Sequence, residues 1–158
     1  MPPSTARRTT LLLGVLAFLA LATAALVYQD ALRRAYSDWQ TKNRILFNIE
    51  KLKDRSYVTI GEEHIEDDAS TWFIAAEELG LIGEPAIPYL IKRLDTEDQY
   101  ELMLALYALL LASQDHALKA KTGGDYVHLT MVLTEKSNVD NMQVARVWWQ
   151  KHKHLWGE

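Results

Sequence analysis

The sequence predicts an all-α protein: an N-terminal helix, then a short α-solenoid, then a tryptophan-rich helix that caps it. Three observations carry this. Residues 11–28 are an uncharged apolar run, the residues after them place apolar side chains at alternating four- and three-residue steps, and the segment Ala75 to Leu94 returns in weakened form 30 residues later. With 158 residues, 49% of them hydrophobic and 24% charged, the chain has room for one ordinary domain with a substantial core and not for two. It contains no cysteine, which excludes disulfides, thiolate zinc sites and a cysteine nucleophile.

The first element follows Arg7 and Arg8. Leu11 to Tyr28 (LLLGVLAFLALATAALVY) is 18 residues long, roughly 27 Å as a helix and close to the thickness of a bilayer's hydrocarbon core. It is expected to act as a single-pass signal anchor over residues 1–28, with the N-terminus inside and the remainder outside the cytoplasm. The other reading is a cleaved secretory signal, with a basic start, the apolar stretch Leu11–Leu21 and Ala22-Thr23-Ala24 as the cleavage site. Both readings export residues 30–158, to the periplasm if the host is bacterial.

The second element, 29–55, is a juxtamembrane amphipathic helix. Tyr28, Leu32, Ala35, Trp39, Leu46 and Ile49 fall on an a/d register with Lys42 as the one interruption. Such a seam can join two copies in parallel, with Tyr28, Leu32, Trp39, Leu46 and Ile49 as the self-association residues. It can also lie against the domain that follows, the ordinary use of an amphipathic stripe.

The third element, 56–121, contains the repetition. Trp72, Ala75, Ala76 and Leu79 make one face of a helix, Gly80 and Gly83 permit a turn, and Pro85 suits the start of a second helix whose apolar face is Ile87, Leu90, Ile91 and Leu94. Thirty residues on, Ala105 and Leu109 stand where Ala75 and Leu79 stood, within a helix of about Asp98–Ala112, and a short helix near Asp115–Lys121 ends at Gly123-Gly124. The pattern Ala-Ala-x-x-Leu-Gly-x-x-Gly-x-Pro-Ala-Ile-Pro-x-Leu-Ile-x-x-Leu resembles a HEAT repeat of the short bacterial, phycobilisome-lyase-like type. The resemblance covers about Ser70–Lys121, and the second copy lacks the family's charged or arginine position within Tyr100–Leu111. It implies about two HEAT-like repeats serving as a scaffold or binding surface for a protein partner, and it implies no chemistry.

The fourth element, 122–158, is similar to a C-terminal element of short bacterial HEAT-repeat proteins, a glycine-rich turn followed by a helix with paired tryptophans. The helix is expected over Asn141–His154, capped by Asp140 or Asn141, with Trp148 and Trp149 pointing to different sides. Two repeats fall short of the three or so that a free solenoid needs, and tryptophans able to bury roughly 150–250 Å² each would supply core. The stretch Tyr126–Thr134 alternates and reads equally as a short strand or a helix.

Charge and motifs bound the function. Residues 1–60 hold 9 Lys/Arg against 4 Asp/Glu, residues 61–115 hold 2 against 13, and residues 116–158 hold 6 against 4. Nucleic acid is not expected as a partner, since Lys and Arg supply most phosphate affinity. The acidic middle offers Glu62, Glu63, Glu66, Glu77, Glu78, Asp98 and Glu101 as candidate contacts to a basic protein partner. Within it, His64 with Asp67 or Asp68 could share a helix face as weak divalent-metal ligands, but a solvated acidic segment at the N-terminus of the next helix is the better account of them. No catalytic residue is assigned, because no nucleophile has an identifiable base, and no cofactor is expected. The reading is a non-enzymatic, membrane-anchored interaction module, with an exported metal- or cofactor-handling domain and a structural homodimer as the alternatives.

Overall fold

Apolar spacing and strong helix formers carry the first helix, α1, unbroken from Thr5 to Lys51 in the computed structural model. The structure describes residues 5–60 and 71–158, with side chains over 23–59 and 72–158. No helix among the described residues is long and apolar enough to cross a membrane, and the greater part of the expected span, 11–22, lies outside the described side chains. The chain divides into two units, Met1–Gln40 and Thr41–Glu158.

In the first unit α1 exposes Tyr28, Leu32, Tyr36 and Trp39, the last two rings stacked with centroids 5.9 Å apart. In the second, Ile45, Asn48 and Ile49 of the same helix and Leu52 just past its end are buried. The expected seam therefore divides. Ile49 turns into the core while Leu46 stays exposed, because the core-facing phase is the i, i+4, i+7 set 45, 49 and 52 rather than the a/d set through Lys42 and Leu46.

After α1 comes a two-residue antiparallel ladder, β1 (Thr59–Ile60) against β2 (Thr71–Trp72). Trp72 belongs to this ladder and is half exposed, a correction to its expected place on a helix. Helix α2 starts after it, at Ile74, and ends at Ile82. Ala75, Ala76 and Leu79 are its buried face. Gly83 takes φ +74°, a conformation that disfavours a β-carbon, and opens a 3₁₀ turn over Glu84–Ala86 that leads into α3 (Ile87–Arg93). Gly80 has a different reason. A β-carbon there would lie 2.5 Å from Leu111 Cβ, so only glycine lets α2 approach the helix that bears Leu111.

That helix is α4 (Gln99–Ser113), buried along nearly its whole length and packed on α2, α3 and the last helix. It starts where Asp98 accepts hydrogen bonds from the Tyr100 and Glu101 backbone N–H groups at 2.9 and 3.3 Å, which satisfies two otherwise orphaned donors. Asp115 caps α5 (His116–Thr122) in the same manner, accepting from Leu118 N at 2.9 Å. Of the positions 30 residues apart that the sequence equates, Ala75 and Leu79 in α2 and Ala105 and Leu109 in α4 are all buried, whereas Ile87 is buried and Ala117 exposed. The described residues are thus all-α apart from the ladder.

The last helix, α6, runs Asn138–His152 after a 3₁₀ turn over Glu135–Ser137 and is closed by another over Lys153–Trp156. It begins three residues earlier than expected, and neither Asp140 nor Asn141 is its cap. Trp148 and Trp149 are both buried, at 4% and 7% exposure. Adjacent helix positions do diverge, but here both directions are covered: Trp156 returns to within 5.1 Å of the Trp149 ring and 6.3 Å of the Trp148 ring.

Candidate functional site

The segment joining α5 to α6 builds one wall of the site. Its alternation is that of a strand, with Val127 buried, Tyr126 half-buried and His128 exposed, yet it pairs with no strand among the described residues. Side chains supply the ladder instead. Ser113 Oγ accepts the Val127 N–H at 3.0 Å. The Asn141 amide accepts from Thr130 N at 2.9 Å and donates to Thr130 O at 2.8 Å, as a neighbouring strand would. The segment is neither strand nor helix because two side chains satisfy its backbone locally. It then turns through Met131 and Leu133, both at positive φ (49° and 60°), into the 3₁₀ turn before α6.

Between this wall and α6 lies an open cleft of about 570 Å³, lined by Asp125, Tyr126 and His128 on one side and by Asp140, Gln143, Val144, Val147, Trp148 and Lys151 on the other. The α6 residues recur every three or four positions, so they form one helix face about three turns long. Its middle is apolar, Val144, Val147 and Trp148. Across from them the Tyr126 and His128 rings lie with centroids 3.8 Å apart. The volume falls within the range typical of ligand pockets.

The polar groups at the Lys151 end of the cleft are committed to one another. Asp125 Oδ2 accepts from Lys151 Nζ at 2.7 Å and lies 2.8 Å from Nε2 of His152, which is 5% exposed. The hydrogen bond from His152, and then that from Lys151, hold the Asp125 carboxyl below its ordinary value. At the opposite end, the Asp140 carboxylate is exposed and has no ion pair or side-chain hydrogen bond among the described residues. Between them, Trp148 Nε1 is buried without an acceptor among the described residues.

The residues singled out from sequence go elsewhere. Glu62, Glu63, His64, Glu66, Asp67 and Asp68 lie outside the described residues. Among the described ones no group of three or more His, Asp or Glu is arranged to hold a metal ion. Glu77 accepts from the Tyr107 hydroxyl at 3.3 Å and Glu78 pairs with Arg44. Asp98 caps α4 and lies 3.5 Å from Arg55. Glu101 is 6% exposed, accepts from Thr96 Oγ1 at 2.7 Å and sits 3.7 Å from Arg93. The four described acidic candidates are therefore engaged within the fold, and Glu101 is closed to a partner. Tyr28, Leu32, Trp39 and Leu46 are exposed, and Ile49 is not. Asp125, Asn141 and His152 were not legible as site residues: their partners stand 11 to 27 positions away, and no local pattern marks such pairs.

No protein-family model matches the chain, and neither a curated protein nor a solved structure matches it.

Proposed function

We propose that the chain is a membrane-anchored, HEAT-like repeat scaffold that binds another protein and performs no chemistry of its own. Residues 11–28 hold it in the membrane, and the unit 41–158 works outside the cytoplasm. The cleft beside α6 carries this reading. One side is a single helix face with an apolar middle, and the other is an extended segment held by Ser113 and Asn141. Helix-in-groove recognition uses such a surface, with apolar anchors three or four residues apart seated in an apolar channel. Asp125 is bonded to both Lys151 and His152, so these groups position the wall instead of serving as a free acid or base. The burial of Ala75, Leu79, Ala105 and Leu109 at repeat-equivalent positions supports the HEAT-like reading.

A photo-crosslinking amino acid placed at Val147 in the cleft, or at exposed Leu81 away from it, tests the reading in isolated membranes. Adducts are expected from position 147 and not from 81, and Val144→Asp should abolish them while leaving the circular dichroism unchanged. Equal labelling at both positions, or none, rejects the cleft as a binding surface. The same membranes report the anchor: an intact N-terminus is expected, and a chain starting at Ala25 replaces the anchor with a cleaved export signal.

A further inference from the structure

We infer that the exposed face of α1 is the seam of a parallel homodimer, in which Tyr28, Leu32, Ala35, Trp39 and Leu46 pack against the same residues of a second copy. The inference rests on the reading of residues 11–28 as a membrane anchor and makes no use of the cleft.

Helix α1 runs unbroken from Thr5 to Lys51, yet only its last two turns enter the chain's own core, through Ile45, Asn48 and Ile49. Before and beside them one apolar face stays uncovered. Tyr28, Leu32, Tyr36 and Trp39 are more than half exposed, Leu46 is 43% exposed, and Ala35 is exposed. From Tyr28 the steps to Leu32, Ala35 and Trp39 are four, three and four residues, and Leu46 follows one heptad later, the repeat by which one helix packs along another. In that repeat Asp30, Arg33, Arg34 and Arg44 fall on the outer positions, and Asp38 flanks the seam where Asn43 of the second copy would face it. Lys42 alone stands in the seam, exposed and without an ion pair among the described residues.

Two arguments select a second copy as the occupant. A shared anchor gives every copy the same orientation and the same exit from the membrane at Tyr28, so two α1 helices meet in parallel with equal residues at equal heights. A seam with one repeat is then its own complement, as a two-fold interface requires. The area also suffices. With aromatic side chains of about 150–250 Å², the exposed part of this face amounts to roughly 500 Å² a copy. A pair would bury about 1,000 Å², the least that a specific interface needs, and confinement to one membrane raises the effective concentration at which it forms. The seam also has an end. Ile49, the next position of the repeat, is buried in the chain's own core, so contact between copies stops at Leu46.

The absence of cysteine makes the test direct. Full-length Ala35→Cys and Ser37→Cys chains are reconstituted in phosphatidylcholine vesicles at limiting surface density and oxidised; both positions are exposed, so neither substitution disturbs the core. Ala35→Cys is expected to form a disulfide-linked dimer and Ser37→Cys, on the opposite side of the helix, is not. Added to Ala35→Cys, Trp39→Asp should lower the yield about tenfold, and Lys42→Leu should raise it by removing the one like-charge pair from the seam. Equal crosslinking at 35 and 37, or none at either, overturns the inference. A yield unchanged by Trp39→Asp also overturns it, since the contact would then lie in residues 11–28. Mixed Tyr28→Cys and Leu46→Cys chains that link to each other in preference to themselves overturn the parallel register. Flotation of the same vesicles after carbonate extraction reports the anchor separately. Chains that float without a 35–35 dimer leave the anchor reading standing and remove the seam, whereas chains that are washed off remove both.

Discussion

Asp125 joins the two sides of the cleft. One of its carboxylate oxygens serves both Lys151 and His152, and removing it would leave a buried imidazole without its partner. Because the carboxyl is held below its ordinary value of about 3.9 only in the folded chain, the stabilisation is complete above that value. It is lost as pH falls through the lower, folded value. Urea unfolding of the parent chain and of Asp125→Asn should therefore differ by roughly 1–2 kcal/mol near pH 5–6, since the lost bonds are charge-assisted. The gap should narrow below about pH 4; a gap that stays constant down to pH 2.5 would show that the interaction is not ionic. Lys151-His152-Lys153-His154 reads in sequence as a basic helix end, and for Lys151 and His154, both exposed, that holds. His152 departs from it because its helix phase points it at Trp148, 5.1 Å away, and at a carboxylate 27 positions earlier.

At the scale of elements, α1 serves two environments with one continuous helix. Its apolar residues do not form one stripe: Tyr28, Leu32, Tyr36 and Trp39, with Leu46 and Phe47 further on, are an exposed set, and Ile45 and Ile49, continued by Leu52 just past the helix, are a buried set. The two sets should respond differently to truncation. Leu52→Ala removes a fully buried side chain and should cost about 2–5 kcal/mol. Leu32→Ala should change stability by no more than about 0.5 kcal/mol, measured by thermal unfolding at concentrations too dilute for association. Comparable losses from both would mean that the exposed ridge already packs within the single chain. The helices α2 to α5 lie within a residue or a few of where glycine, proline and capping aspartate place them, because those signals act within one turn. The segment 126–134 was undecidable for the complementary reason. Its alternation is real, but Ser113 and Asn141, which decide its conformation, belong to other elements.

For the whole molecule, the uneven charge distribution becomes a set of bonds between elements. Acidic residues of the middle third pair with basic residues from either side of it. Arg44 meets Glu78, Lys121 meets Glu84 at 2.7 Å, and Arg146 meets Asp95 at 2.6 Å. These side chains are partly exposed, so each pair contributes at most about 1 kcal/mol and is screened by salt. Raising sodium chloride from about 0.1 to 1 M should lower the melting temperature by roughly 4 °C; no decrease would show that the pairs contribute nothing measurable. The sequence alone determined the all-α class, the order of the helices, the turns at Gly83 and Gly123 and the apolar run at 11–28, since each is written in neighbours one or two turns apart. Only the tertiary structure decided which phase of α1 enters the core, that both Trp148 and Trp149 are buried, that the described acidic candidates Glu77, Glu78, Asp98 and Glu101 are engaged internally, and that a cleft opens beside α6. Those outcomes depend on side chains brought together from 11 to 51 positions apart, and pairing over that distance is set by packing and leaves no periodic trace along a single chain.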